Sequence, residues 1–566
     1  MPTREFTTRA GPDLRVPSGS ALIFDVAEKD LFARRTLLKG GAAAVAATAV
    51  AAPRARASGP VFLHGVASGD PLPTGVIIWT RVTVSEDAAP GSAEGEPAAV
   101  YWEVARDEGF TQVVASGAVV TSTETDHTVK IDVSGLAPAR DYLYRFTAFG
   151  QPSPTGRTRT APAANSSPEQ LRFGVVSCAN WEAGAFGAYR GLAERGDLDA
   201  IVHLGDYLYE YARGEHGTGV RAHDPAHEIV TLSDYRTRHG QYKTDPDLMA
   251  LHARVPFVCT WDDHESANNS WSGGARNHDP VIEGAWADRS AASARAYLEW
   301  MPVRAAGAGD DLRIYRRLRF GDLAELSMLD LRSYRDQEIA PGAQWRNVDD
   351  PERSITGHAQ LEWLTAGLVS APVRWKLVGN SVMITPLLFP PLDPATTQAV
   401  TGILGIPRHG APINGDQWDG YTADRRRLFE AITVDEVDNV VFLTGDIHSS
   451  WAADLPVTAA DPNGPSAGAE FVVPSVTSAS IGDLLAAPPR TTAVSVETAI
   501  ATVNPHLRYV ELESHGYGVL DVTRERTQMD WFYLENVADP RSPIRHGASF
   551  AVPSGGRIER RPDPIG

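Results

Sequence analysis

The run Trp261-Asp262-Asp263-His264-Glu265 follows at once on the apolar stretch Phe257-Val258-Cys259-Thr260. Three carboxylates and an imidazole at the end of a buried strand repel one another and resist desolvation unless something cationic sits among them. Four more apolar runs end in the same manner. Phe173-Gly174-Val175-Val176 leads into Ser177-Cys178-Ala179-Asn180, and Ala200-Ile201-Val202-His203-Leu204 leads into Gly205-Asp206-Tyr207-Leu208-Tyr209-Glu210. Trp375-Lys376-Leu377-Val378 precedes Gly379-Asn380-Ser381, and Val440-Val441-Phe442-Leu443 precedes Thr444-Gly445-Asp446-Ile447-His448-Ser449. A single Asp after a strand ordinarily caps a helix or makes a turn. Five clusters in succession, each with a candidate metal ligand, argue instead for one shared cation site. Strands that end in polar loops, separated by long helical or irregular segments such as the helix predicted over 185–196, describe a layered α/β domain with its chemistry at the strand ends.

Upstream the rhythm differs. Val76-Ile77-Ile78-Trp79-Thr80-Arg81-Val82, Val100-Tyr101-Trp102-Glu103-Val104, Thr128-Val129-Lys130-Ile131-Asp132-Val133 and Tyr142-Leu143-Tyr144-Arg145-Phe146 read as short strands broken by Gly, Pro and Asp. Leu136-Ala137-Pro138 before Tyr142 is similar to the tyrosine corner of fibronectin-type sandwiches, so residues 58–162 are expected to form a small β-sandwich domain. An Ala-, Pro- and Ser-rich linker over 161–170 joins it to an α/β domain over 171–566. That domain closes on a strand pair, Val519-Leu520-Asp521-Val522 and Met529-Asp530-Trp531-Phe532-Tyr533, and a Pro- and Arg-rich tail whose Arg557, Arg560 and Arg561 read as a solvated end.

Residues 1–57 read as an address. Arg34-Arg35-Thr36-Leu37-Leu38-Lys39, an Ala-rich apolar run and Ala55-Arg56-Ala57 resemble a twin-arginine export signal with its cleavage site. The expected location is therefore secreted, periplasmic or otherwise extracytoplasmic, with the twin-arginine machinery as a transient partner. No stretch approaches the roughly 20 apolar residues of a membrane span.

The order Gly-Asp-x-x-Tyr, Asp-His-Glu and Gly-Asp-x-His, each after a strand, resembles that of the calcineurin-like two-metal phosphoesterases. The spellings Cys178, Gly205-Asp206-Tyr207-Leu208-Tyr209, Trp261-Asp262-Asp263-His264-Glu265 and Gly445-Asp446-Ile447-His448-Ser449-Ser450 are similar to those of the PhoD-type alkaline phosphatase/phosphodiesterases. Gly65-Val66-Ala67-Ser68-Gly69-Asp70-Pro71, Asn504-Pro505-His506 and His515-Gly516-Tyr517 extend the likeness over the whole mature chain. The resemblance implies a calcineurin-like metallophosphoesterase domain preceded by the sandwich. It further implies that Asp206 bridges two metals, with Cys178, Tyr209 and His448 completing the first shell. Asp263, Asp446 and Asn380 would hold the second metal, and His264 would contact the phosphate or assist the leaving group.

A thiolate, a phenolate, a carboxylate and an imidazole suit ferric iron, whereas a nearly all-oxygen second site suits calcium; zinc or manganese are the alternatives. Such metals would clamp the phosphate while a metal-bound hydroxide or oxide attacks phosphorus in line. The expected activity is hydrolysis of phosphomonoesters and phosphodiesters for phosphate scavenging, by a monomer. A phospholipase D-like diesterase on the same fold is the alternative, with 214–231 and 393–420 as substrate loops and Leu387-Leu388-Phe389-Pro390-Pro391-Leu392 as the candidate lipid rim. A wall- or sugar-binding protein with an inert α/β domain would have little use for Asp206, Asp263, His264, Asp446 and His448 together.

Of the two cysteines, Cys259 reads as core packing and Cys178 as a ligand; a Cys178–Cys259 disulfide is the other option for an exported chain. His203 reads as a core histidine. His506, His515, Arg332 and Arg335 are candidate lid or phosphate contacts, and Asn268, Asn269 and Trp271 candidate pocket wall. The 566-residue chain carries a formal charge of −19, and −23 once residues 1–57 are removed. That balance disfavours duplex nucleic acid as a partner, since counterion release needs clustered Lys and Arg. It leaves short nucleotides and other phosphodiesters open as substrates, bound by metals and local positive groups rather than by long-range steering.

Overall fold

The strand Gly75–Arg81 is buried along its whole length, the mark of a strand covered on both faces. It lies within a ten-stranded sheet whose order from edge to edge is Glu559–Arg561, Ile544–Pro553, Arg526–Leu534, Gly516–Thr523, Gln170–Val176, Ala200–His203, Phe257–Cys259, Val66–Leu72, Gly75–Arg81 and Thr128–Ser134. A second sheet runs Arg316–Phe320, Ala324–Met328, Trp375–Asn380, Val440–Thr444, Ser466–Val472, Ser450–Pro456 and Leu507–Glu511. This computed structural model describes residues 61–566 apart from 218, 308, 310–311, 340–346, 388–413, 459–460, 486–487 and 566. The segment read as an export signal, residues 388–392 of the stretch read as an apolar rim and 393–413 of the second loop read as substrate-binding lie outside the described residues.

Successive side chains of a strand point to opposite faces, and the central strands use both. Val175, Val202 and Val258 face the second sheet and pack with Met328, Leu377, Leu443 and Phe471. Val176, Ile201, Phe257 and Cys259 face outward beneath residues of the helices Gly187–Ala193, Pro246–His252 and Trp286–Trp300. His358–Ser370 and Thr422–Val434 cover the far side of the second sheet through Leu364, Leu368, Leu428 and Phe429. The layering is helix, sheet, sheet, helix. Among the described residues no helix is long and apolar enough to cross a membrane.

The centre of each sheet is parallel. Gln170–Val176 pairs with Ala200–His203, which pairs with Phe257–Cys259. In the second sheet Ala324–Met328, Trp375–Asn380 and Val440–Thr444 run together. The strand ends predicted to carry polar clusters therefore converge on one edge of the stacked sheets, where α/β folds place their sites.

The upstream strands form the sandwich predicted for them. Val66, Val76, Ile78 and Val129 on one side meet Val100, Val104, Tyr144 and Phe146 of a smaller sheet that includes Ala98–Ala105, Val113–Thr121 and Asp141–Ala148. The tyrosine corner is present: the Ala137 amide donates to the Tyr142 hydroxyl at 2.8 Å. One face of the sandwich is also part of the main sheet, because Val66–Leu72 pairs in parallel with Phe257–Cys259.

Three details depart from the sequence reading. The helix predicted over 185–196 is the shorter Gly187–Ala193. Val113–Thr121 is a strand that its Gly- and Ala-rich spelling concealed. The tail is an ordered sheet edge: Ile544–Pro553 and Glu559–Arg561 extend the antiparallel end, and Arg557 donates to the carbonyls of Pro462 and Gly464 at 2.6 Å each.

Behind the site lies a group of buried polar side chains. The Lys243 ammonium contacts Nε2 of His252 at 3.1 Å and sits over the rings of Trp79 and Tyr207, 4.8 and 5.2 Å from their centroids. His203 and His239 are fully buried nearby, with Nε2 of His203 3.0 Å from the Tyr189 hydroxyl. His203 is thus the core histidine it was read to be.

Candidate metal centre

Asp206 is the common member of three donor groups. With Cys178 and His448 it forms one, with Asp263 and His264 a second, and with Asp262, Asp263 and Asp446 a third; the donor atoms of each group lie within 4.8 Å of one another. The backbone is bent to bring them in. Cys178, Asp206, Asp446 and His448 all adopt left-handed conformations, with φ of 61°, 53°, 62° and 48°. Non-glycine residues pay about 1 kcal/mol or more for that region, and such residues gather at functional sites. Gly205 just before Asp206 has φ of 106°, and a Cβ there would meet the Asp262 amide nitrogen at 2.6 Å. The Asp206 and Asp262 turns can approach so closely only through glycine.

The Tyr209 hydroxyl donates to Oδ2 of Asp206 at 2.8 Å and lies 3.3 Å from Nε2 of His448. His448 Nδ1 is 2.8 Å from the Ala479 carbonyl, so Nδ1 carries the proton and Nε2 keeps its lone pair for the cluster. Cys178 is fully buried, and both cysteines are free thiols. Oδ1 of Asp206 is buried without a hydrogen-bond partner among the described residues. Burial, and then the charges of Asp206 and Asp446, push the Cys178 thiol well above its ordinary pKa; burial, Asp206 and Cys178 do the same to Tyr209. Asp206 and Asp446 are themselves raised well above the carboxylate range, chiefly by burial. Uncompensated negative potential of this kind, around an orphaned carboxylate oxygen, fits bound cations, which would reverse each shift.

His264 stacks on Tyr209 with ring centroids 4.2 Å apart. Its Nδ1 is 2.7 Å from Glu210 Oε2, and its Nε2 is 3.8 Å from Asp263 Oδ2. Burial alone would lower the imidazole pKa, but Asp263, Glu210 and Asp206 outweigh it and hold the ring protonated, well above the ordinary histidine value.

Other candidates separate into braces and bystanders. Glu265 is a brace: it accepts the amides of Asp206, Tyr207 and Asp262 at 3.1, 2.7 and 2.8 Å. Asn380 is likewise engaged, its Nδ2 donating to Thr444 Oγ1 and its Oδ1 accepting from Trp418 Nε1, both at 2.9 Å. Arg332 reaches into the acids themselves, contacting Asp262, Asp263 and Asp446, while Arg335 pairs with Asp416 at 3.0 Å. Asn269 donates its amide to Asp263 at 2.7 Å and its side chain to Glu338, so it supports the wall; Asn268 donates its amide to Glu210, and Trp271 forms a bridge with Gly274. His515 pairs with Asp483 and Ser475, and His506 with the Pro386 carbonyl.

Two site residues were not found by sequence reasoning, Asp416 and Gln417. Asp416 accepts from Arg332 at 2.9 Å, and Gln417 Nε2 donates to Asp446 Oδ2. They sit on Asn414-Gly415-Asp416-Gln417, into which no strand-like apolar run of the sequence leads directly, so the signal that marked the others is missing.

Acid-rich side chains converging from the ends of the parallel central strands of two stacked sheets define the scaffold of a layered α/β hydrolase. Comparison with known proteins places the chain more closely. The PhoD-like phosphatase family matches residues 173–531, and that family's N-terminal domain matches residues 46–162. Alkaline phosphatase D of Bacillus subtilis (strain 168) is 36% identical over 500 residues, which cover 86% of this chain and 80% of the relative. A solved structure of PhoD superposes with a TM-score of 0.80 at 33% identity, covering 91% of this chain and 94% of that one. The chain belongs to the PhoD-like phosphatase family and is a phosphoric ester hydrolase.

Proposed function

We propose that the chain is an exported, metal-dependent hydrolase of phosphate mono- and diesters that serves phosphate scavenging, released outside the cytoplasm by the twin-arginine route and active as a monomer. The observation that carries the metal-dependent hydrolysis is the sharing of Asp206 among three donor groups while its Oδ1 has no partner among the described residues. Cys178, Asp206, Tyr209 and His448 would hold ferric iron. Asp206, Asp263, Asp446 and Asn380 would hold calcium. The chemistry gained with cations bound is Lewis acidity at the phosphate oxygens and a water acidified from a pKa of about 16 toward neutrality.

The chain's own residues do the rest. Glu265 fixes the two turns that carry Asp206 and Asp263, so the donors are placed before substrate arrives. Glu210 holds His264 in one orientation with Nε2 toward Asp263, where the ring can contact a phosphoryl or leaving-group oxygen. Arg332 offsets part of the acidity, which lowers the barrier an anionic ester meets in an acidic protein.

The test is elemental analysis of the purified protein beside hydrolysis of a mono- and a diester, before and after chelation. Copurifying iron and calcium, with activity lost to chelator and restored by those ions, supports the reading. A metal-free protein that neither ion activates would overturn it.

A further inference from the structure

Resting on the hydrolase reading above, we infer that Tyr211 and His216 form a stacking subsite for a planar ring carried by the phosphate ester, so that base-bearing esters such as nucleotides are preferred. Four rings run outward from the donor cluster. Tyr209 stacks on His264 at 4.2 Å, His264 faces Tyr211 at 5.1 Å, and Tyr211 meets His216 at 4.0 Å. The first three are buried and the fourth is exposed. His216 is exposed and backed by the Tyr211 ring, so its imidazole is presented to solvent with an aromatic backing.

The segment bearing His216 is tied down rather than free. Buried Glu182 accepts the amides of Gly214 at 2.7 Å and His223 at 2.8 Å, on either side of the ring. Asn180, two residues beyond Cys178, donates to the His216 carbonyl at 3.4 Å. Arg221 pairs with Asp245 at 2.6 Å and lies 3.8 Å over the Trp181 ring. The strand end that supplies Cys178 thus also positions His216. Two ring-to-ring steps separate His216 from His264, the scale on which a nucleotide separates its base from its phosphate. Stacking on an aromatic or imidazole face tolerates any base, and it requires no positive field, which an acidic protein does not offer.

The test compares adenosine 5′-monophosphate with ribose 5-phosphate, each also as its methyl diester, on the metal-loaded full-length protein. Both esters expel a primary 5′-alkoxide of ribose and differ at C1′, which carries the base in one and a hydroxyl in the other. The quantity read is the ratio of kcat/KM with base to that without. We expect a ratio of about 5 to 100 in the unaltered protein, a drop of about fivefold or more in His216→Ala carried by KM, and a ratio retained in His216→Trp. A ratio near one, or one that His216→Ala leaves unchanged, overturns the stacking subsite while leaving the hydrolase intact. Hydrolysis of neither ester overturns both.

Discussion

The guanidinium of Arg332 and the carboxylate of Asp262 meet side by side, Nε to Oδ1 at 2.6 Å and Nη2 to Oδ2 at 3.0 Å. Both side chains are buried, and the same guanidinium lies 2.9 Å from Asp416, 3.3 Å from Asp263 and 3.5 Å from Asp446. Asp262 is thereby kept for Arg332, while Asp263, its neighbour in sequence, keeps an oxygen near Asp206. Arg332→Met should leave buried carboxylates unpaired and lower stability by about 3–5 kcal/mol, seen as a fall in the denaturant midpoint. Arg332→Lys retains the charge but loses the paired geometry, and should recover only part of that loss.

A phenolate on ferric iron absorbs in the visible. On the proposed iron site the purified protein is expected to be coloured, and Tyr209→Phe should remove the phenolate contribution to the visible spectrum, leaving that of a Cys178 thiolate, while elemental analysis still finds iron. A spectrum unchanged by the substitution would remove Tyr209 from the iron shell.

Gly205 offers a backbone test of the site. Gly205→Ala forces a side chain into a φ of 106° and against the Asp262 amide. The expected outcome is a loss of about 1–3 kcal/mol in stability and a larger proportional fall in kcat than in stability, because Asp206 and Asp263 are pushed apart. Parallel denaturation and steady-state rates distinguish the two effects.

The group behind the site predicts stability that rises toward alkaline pH. Burial lowers the Lys243 ammonium to about 7 and the His203 and His239 imidazoles to about 3. For each cationic group depressed by folding, the unfolded chain binds more protons between the folded and unfolded pKa, so stability increases with pH across that interval. The histidines contribute between about 3 and 6.5, and the lysine between about 7 and 10.5. Urea midpoints should climb from pH 7 to pH 9.5. Lys243→Met should flatten that climb and raise stability at pH 7 by roughly 1–4 kcal/mol; an undiminished slope in the variant would rule out Lys243 as its source.

The strand-end clusters were legible because each follows a short apolar strand, and parallel strands deliver their ends to one place. Cys178, Asp206, Asp263, Asp446 and His448 are all read in that way. What the residues do to one another was not legible. Glu265 looks like a fourth donor in the sequence, yet three backbone amides claim it. Asn380 stands at a strand end like the rest, and its hydrogen bond from Trp418, 38 residues on, could not be read from the sequence. Arg332 is recognisable only once Asp416, 84 residues away, is seen beside it. Such pairings are long-range and leave no local period. The tail was misread for a related reason: Ile544–Pro553 pairs across a register shift between Trp531 and Phe532, which blurs the alternation that would have marked it.

The parallel pairing of Val66–Leu72 with Phe257–Cys259 has a temporal consequence. As the chain leaves the ribosome, its first strand waits for a neighbour almost 200 residues away in the sequence, and the opposite end of the same sheet is completed only by Glu559–Arg561. Closing contacts of such separation is slow, and the open strand edges invite association in the meantime. The sheet that carries Cys178, Asp206 and Asp263 at its strand ends is thus held on both sides by long-range pairings, to Val66–Leu72 on one and to Gly516–Thr523 on the other.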